Sequence, residues 1–450
     1  MAYLPHTDRD ISEILKSAGV ESIEDLLAAA VPEGLRAKEP LSLPVGLSEQ
    51  ALKRVVEALA SKNSGAAGPS SFLGAGAYSH YTASLVASLA GRSEFYTSYT
   101  PYQPELSQGT LQAIFEYQTL VCQLTGMDVS NGSLYDGGTA CAEAALMAMR
   151  ITGRKKVILS AALHPEYRET VKTYLKFRGV EAVESFYCGE AGTTLPEAVE
   201  AVCSEEPACL IVQNPNFFGC IEDVEALSVL MRGKGGLLVA AVAEPVSLGI
   251  LKSPGELGAD IAVGENQSFG IPLSLGGPYL GFMATKEKYI RQMPGRLVGQ
   301  TIDNKGQRAF CLTFATREQH IRREKAASNI CTNHGLSALT AAIHMTSLGK
   351  TGLKKLAGLN LSKAEYLREK LTSVKGVGRA FTAPFFNEFA VRLDSIDVDD
   401  ALKRLLRKGI IAGLSLKRFY PELTRHMLVT ATEINSKEEI DRFAFELSRL

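Results

Sequence analysis

Short apolar runs alternate with helix-forming stretches from residue 156 to residue 283, and no other feature restricts the fold so tightly. The runs lie at 156–160, 180–186, 208–213, 237–242, 261–263 and 279–283. Each has the length of a strand, and all but 180–186 are largely apolar, so the sheet they form must be covered on both faces. The stretch 165–178 opens with Pro165, which suits a first helical turn. Such alternation predicts an α/β fold built on a largely parallel sheet.

The two ends of the chain read differently. Residues 1–65 predict a helical arm. Asp8 or Asp10 can cap a helix carrying Ile11, Ile14 and Leu15, and Ser48 a second carrying Leu52, Val55, Val56 and Leu59. The string Ser61-Lys-Asn-Ser-Gly-Ala-Ala-Gly-Pro69 has a linker's composition. Beyond residue 330 the order is a long helix near 353–371, a strand at 388–393, a helix at 398–407 and strands near 410–414 and 427–430. A last helix opens with the capping box Ser436-Lys-Glu-Glu439. The expected organisation is thus an arm at 1–65, a large α/β domain at 66–329 and a small C-terminal α+β domain at 330–450. A chain of 450 residues is too long for one simple core.

Several function classes are argued against. Lys and Arg together number 48 and Asp and Glu 49, a net charge of −1, whereas a protein organised around nucleic-acid phosphates needs a basic face. The N-terminus has no basic-then-apolar signal pattern, and no apolar run approaches the ~18–20 residues of a membrane span. The cytoplasm is the expected location. Eight cysteines contain no C-x-x-C pair and are read as small buried hydrophobes. Seven histidines show no metal-ligand spacing, so no metal is expected. Gly349-Lys-Thr351 imitates the end of a phosphate loop, but His344 stands where that loop needs its first glycine; an exposed helix end is expected instead. Gly74-Ala-Gly-Ala-Tyr-Ser79 is an incomplete dinucleotide fingerprint, read as a glycine turn that lets backbone pass closely. Ser and Cys lack any nucleophile signature.

Two segments stand apart from this framework. Phe95 to Gly109 holds four aromatics and several amides and hydroxyls, broken by two prolines, so it cannot be a regular amphipathic element. Tyrosines of this kind either line a channel or pack an irregular loop on the core. The second, Thr313 to Asn329, is dense in anion-binding and hydrogen-bonding groups: Thr316, Arg317, Gln319, His320, Arg322 and Arg323. It reads either as a binding segment or as a solvated helix face.

The strings Tyr99-Thr-Pro-Tyr-Gln-Pro-Glu105, Thr316-Arg-Glu-Gln-His-Ile-Arg-Arg-Glu-Lys325, Ser328-Asn-Ile-Cys-Thr332, Phe72-Leu-Gly-Ala-Gly-Ala-Tyr78 and Gly264-Glu-Asn-Gln-Ser-Phe-Gly-Ile-Pro-Leu-Ser-Leu-Gly-Gly-Pro278 closely resemble the P-protein of the glycine cleavage system, a glycine decarboxylase. The similarity runs along essentially the whole chain and matches the alpha (subunit 1) half of the form split into two subunits. It implies the type I fold of pyridoxal-phosphate (PLP) enzymes. It also implies a heteromeric enzyme, a heterotetramer in the family, whose beta subunit carries the PLP-binding lysine. Laid on the shared Phe-x-Ile-Pro and Gly-Gly-Pro string, that lysine falls on Gln267; by the Pro254-Gly255 and Gly258-Ala-Asp260 anchors, the aspartate that pairs with the pyridine nitrogen falls on Ala241. Gln forms no imine and Ala holds no ring proton, so the chain's own site is expected to be inert and PLP to be held by the beta subunit. Lys252 and Lys286 are expected at the surface, and Gly137-Gly138 is read as opening an anion-binding helix end.

The resemblance further implies that glycine is decarboxylated and its aminomethyl group passed to the lipoyl arm of H-protein. Thr316, Arg317, Gln319 and His320 would complete the cofactor-phosphate or glycine-carboxylate pocket of the beta subunit. Tyr96, Tyr99, Tyr102 and Gln103 would line the approach of the lipoyl arm. Two other readings stay open: a scaffold that only stabilises the beta subunit, and an autonomous PLP aminotransferase using another lysine.

Overall fold

The computed structural model describes residues 5–37, 41–63, 68, 70–180, 182–203 and 206–450. The chain forms two compact units, 1–64 and 65–450. The expected linker at 61–69 lies partly outside the described residues.

Three α-helices, Asp8–Ala18, Ile23–Ala30 and Glu49–Ala60, make up most of the first unit. Thr7 caps the first rather than Asp8 or Asp10. Its side chain accepts the Asp10 amide, while the Asp10 carboxylate, one turn in, accepts the Thr7 amide. Ser48 caps the third, as expected. The apolar stripes of this unit face solvent: Ile14, Leu27, Leu52, Val55, Val56 and Leu59 are exposed, as are Leu41, Leu43 and Val45.

A seven-stranded sheet centres the second unit. In chain order its strands are β1 (Val129–Ser130), β2 (Lys156–Ser160), β3 (Ala182–Ser185), β4 (Pro207–Gln213), β5 (Leu237–Val242), β6 (Ile261–Glu265) and β7 (Gly281–Thr285). They lie side by side in the order β1-β7-β6-β5-β4-β2-β3. The pairs β2–β3, β2–β4, β4–β5 and β5–β6 are parallel, and β6–β7 and β1–β7 are antiparallel. Alternate residues of one strand enter opposite cores. From β5, Leu238, Ala240 and Val242 pack with Tyr117, Phe269 and Ala338, whereas Val239 and Ala241 pack with Cys141, Ala144 and Met147. The run expected at 279–283 pairs only from Gly281, because the Leu280 amide is given to the Glu265 carboxylate at 2.6 Å.

A hairpin, Leu297–Ile302 with Arg308–Thr313, escaped the sequence reading. Its strands are half-exposed and mix polar with apolar residues, and Asp303 closes the turn by accepting the Lys305 and Gln307 amides. Among the last 120 residues, the helix Gly335–Thr372 is longer than expected and broken at Gly349, whose φ of 60° and ψ of 179° place Gly349-Lys-Thr351 at an internal junction. An antiparallel sheet orders Val377–Arg379, Glu388–Leu393, His426–Thr430 and Leu414–Ser415. The strand expected at 410–414 splits. Ile410–Ile411 pairs with Ser70–Ser71, and Gly413, at φ 144°, passes so near the Leu428 carbonyl that a Cβ would meet it at 2.2 Å. Helices Val398–Arg407 and Lys437–Ser448 lie where expected, the latter with the Ser436–Glu439 capping box. Three cysteines, 141, 209 and 220, are buried as read; Cys331 is exposed and the other four half-buried. Among the described residues no helix is long and apolar enough to cross a membrane.

Candidate functional site

Gln267 follows β6 by two residues and is 3% exposed. Its Oε1 accepts the Tyr78 amide at 2.9 Å, and its Nε2 donates to the carbonyls of Tyr78 at 3.1 Å and Ile271 at 2.7 Å. The carboxamide therefore ties the glycine turn 74–79 to its own loop. That turn passes close to other groups, as read: a Cβ on Gly74 would lie 2.4 Å from Glu388 Oε1, and Gly76 adopts φ 95° against His164. Glu388 accepts the Ala75 amide and the Tyr78 hydroxyl, and burial pushes its carboxyl up to about 8.

Ala241 lies inside β5 with no exposure, its carbonyl accepting the Asn214 amide. Lys286 is paired with Asp260 at 2.7 Å, and the Lys252 side chain is exposed. Gly137 does open a helix, Gly137–Thr152, but its amide already donates to Glu265 Oε2 at 3.1 Å.

The same interior holds a buried imidazole between two carboxylates. His80 Nδ1 lies 2.8 Å from Glu433, and Nε2 lies 3.0 Å from Glu244. Burial disfavours its charge, yet Glu244 and Glu433 outweigh that and hold it at about 10. His344 behaves oppositely: burial, with the nearby His80 charge, lowers it to about 4.

The tyrosine-rich segment faces outward. Tyr96 is 68% exposed and Tyr99 84%, and Tyr102 and Gln103 are exposed too. Between Tyr96, Tyr99, Asn333 and Leu336 lies a cavity of about 150 Å³. Tyr102 joins the two segments singled out in the sequence, its ring meeting that of His320 edge-on at 6.2 Å. Arg296, which no motif singled out, organises the region. It donates to the Tyr102 hydroxyl, the Cys331 carbonyl, Thr332 Oγ1 and Asn333 Oδ1, and stacks over the Tyr102 ring. Its neighbours in sequence have ordinary composition, so only the fold reveals it.

The 313–329 segment is not one helix. Ala315–Arg317 is a 3₁₀ turn, Gln319–Arg322 a single α-turn and Arg323–Lys325 a second 3₁₀ turn. Phe314 and Arg323 bracket it at φ 55° and 51°, a region costly for residues other than glycine. Thr316 and His320 are exposed, Gln319 half-buried. The Arg317 guanidinium is half-buried and donates to the carbonyls of Met293 and Gly295, and burial lowers its pKa to about 10, leaving it charged at neutral pH.

Comparison with known proteins now decides the family. The profile of the glycine cleavage system P-protein matches residues 1–447. The chain belongs to that family. It is 53% identical, over 98% of both chains, to a probable glycine dehydrogenase (decarboxylating) subunit 1 of Desulfitobacterium hafniense, and 52% identical to the same subunit of Geobacillus kaustophilus, over 99% of this chain and 98% of that one. A crystal structure of the glycine decarboxylase P-protein in inhibitor-bound form superposes with a TM-score of 0.92 at 42% identity, covering all of both chains. A sphingosine-1-phosphate lyase of Burkholderia pseudomallei, at 15% identity and TM-score 0.66 over 93% of this chain and 94% of that one, shares the fold. This P-protein chain has the type I fold of PLP-dependent enzymes, as expected.

Proposed function

We propose that this chain is the non-lysine-bearing subunit of a glycine decarboxylase, acting with a second subunit that holds PLP. Gln267 carries the reading. It occupies the position expected of the cofactor lysine, and its carboxamide is consumed by three hydrogen bonds. An amide nitrogen does not condense with an aldehyde, and Ala241 offers no acid to a pyridine nitrogen, so these residues do not fit PLP.

The contribution of this chain is then made at its surface. Thr316, Arg317, Gln319 and His320 complete the second subunit's pocket for the cofactor phosphate or the glycine carboxylate. Tyr96, Tyr99, Tyr102 and Gln103 line the approach of the H-protein lipoyl arm, to which the aminomethyl group is passed. Support comes from three observations: the exposure of the tyrosines, the strained residues at both ends of 315–322, and the Arg296 hub that fixes Tyr102. Arg317, held by two carbonyls, is a fixed positive charge rather than a swinging one, as recognition of an anion requires.

The chain purified alone and together with the second subunit, each supplied with PLP, tests the reading. Alone it should exchange no bicarbonate carbon into glycine; together the two should do so. Exchange by the isolated chain would overturn the proposal.

A further inference from the structure

Three groups converge where the fold offers a helix end to an anion. Glu265, 2% exposed, accepts the Gly137 amide through one oxygen and the Leu280 amide through the other. The Tyr167 hydroxyl lies against the same helix end: a Cβ on Gly137 would meet it at 2.2 Å. The Tyr167 ring stacks on His164, with centroids 4.6 Å apart and planes 24° apart. His164 is fixed in turn, its amide donating to Gln213 and its ring facing the Ala75 carbonyl at 3.0 Å. Tyr167 and Glu265 thus both lie against Gly137, and burial raises the phenol of Tyr167 well above its ordinary value.

The chemistry of these groups parallels that of a bound phosphorylated aromatic. A helix N-terminus offers its free amides to the oxygens of a ligand, and here an oxygen of the chain's own Glu265 carboxyl takes the Gly137 amide, burial raising that carboxyl to about 8. A planar ring seeks a flat partner, and here the ring on His164 is a phenol. We propose that Tyr167 and Glu265 form a built-in plug filling the ring and phosphate ends of the cofactor volume, so that restoring the lysine and aspartate would not by itself make a PLP site. The inference rests on the reading that this chain holds no PLP of its own. It goes further, since it assigns the exclusion to two residues that neither the missing lysine nor the missing aspartate accounts for.

The test compares full-length chains incubated with PLP and reduced with borohydride. A lysine amine condenses with the PLP aldehyde, releasing water, and hydride then fixes the C–N bond as a secondary amine that peptide mass spectrometry locates. The double variant Gln267→Lys/Ala241→Asp should carry no adduct at position 267. The quadruple variant that adds Tyr167→Ala and Glu265→Ser should carry about one per chain. A stoichiometric adduct in the double variant, or a folded quadruple variant without one, overturns the plug and leaves the proposed function standing. An adduct on the unsubstituted chain overturns the proposed function instead. Should the quadruple variant fail to fold, Tyr167→Ala alone decides. Its melting temperature should fall and recover by several degrees with p-cresol, which leaves the unsubstituted chain unmoved. No recovery would mean that the space does not accept a planar ring, and the plug would be wrong.

Discussion

Around Gln267 the polar groups turn inward and find partners; on the tyrosine face they turn outward and wait for them. Gln267, Glu265, Glu388 and His80 are each held by two or more hydrogen bonds or ion pairs in a closed interior. Tyr96, Tyr99 and Thr316 lie in solvent, and the backbone around 315–322 is strained at both ends. Buried polar groups without partners cost free energy, so a site that binds nothing is best closed by its own side chains. Exposed aromatics beside a strained turn gain nothing from the isolated chain, which is how a surface used in an assembly looks.

The largest expected effect belongs to the interior. Tyr167→Ala should cost about 3–5 kcal/mol of stability, the usual loss for removing a large buried ring, measured by urea denaturation. A loss near zero would break the contrast, since the plug would then not be packed core.

His80→Gln comes next, because it strands Glu244 and Glu433 in low dielectric. Breaking such a pair costs about 3 kcal/mol. The His80 pKa is raised by folding to about 10, so its contribution is complete below its unfolded value of about 6.5 and is lost as pH rises toward 10. The gap between the parent chain and the variant should therefore narrow over that window. A gap that widens with pH would contradict the charged-imidazole assignment.

Arg317→Lys sharpens the surface half. In the complex with the second subunit it should weaken glycine or PLP binding by about 2 kcal/mol, roughly thirtyfold, while the subunits still co-elute. Dissociation without any change in binding would favour a scaffold. Smallest is Tyr99→Ala. Stability should move by less than about 0.5 kcal/mol, as the ring is 84% exposed. Transfer to lipoylated H-protein should nevertheless slow about fivefold, near 1 kcal/mol.

The contrast also separates what could be read from the chain from what could not. Fully buried strands such as 208–213 and 237–242 declare themselves, because burial on both faces demands a continuous apolar run. The 297–313 hairpin does not, since its half-exposed strands carry no such run. Gln267 and Ala241 could be singled out by laying the chain on family strings and anchors, as the positions proposed for the lysine and the aspartate. The plug was not: Tyr167 lies on the helix Pro165–Lys176 with an ordinary amphipathic pattern, and only the fold brings it to Gly137. Arg296 escaped for the same reason. The 313–329 segment was recognisable by composition, but its backbone was not, because three short turns broken by positive φ leave no periodic trace.

The central claim is that PLP chemistry belongs to the second subunit and not to this chain. Borohydride reduction of the assembled, PLP-loaded complex, followed by digestion and peptide mass spectrometry of both chains, tests it most directly. The account predicts one pyridoxyl-lysine peptide, from the second subunit, and none from any lysine of this chain. A stoichiometric pyridoxyl adduct on a lysine of this chain would contradict it.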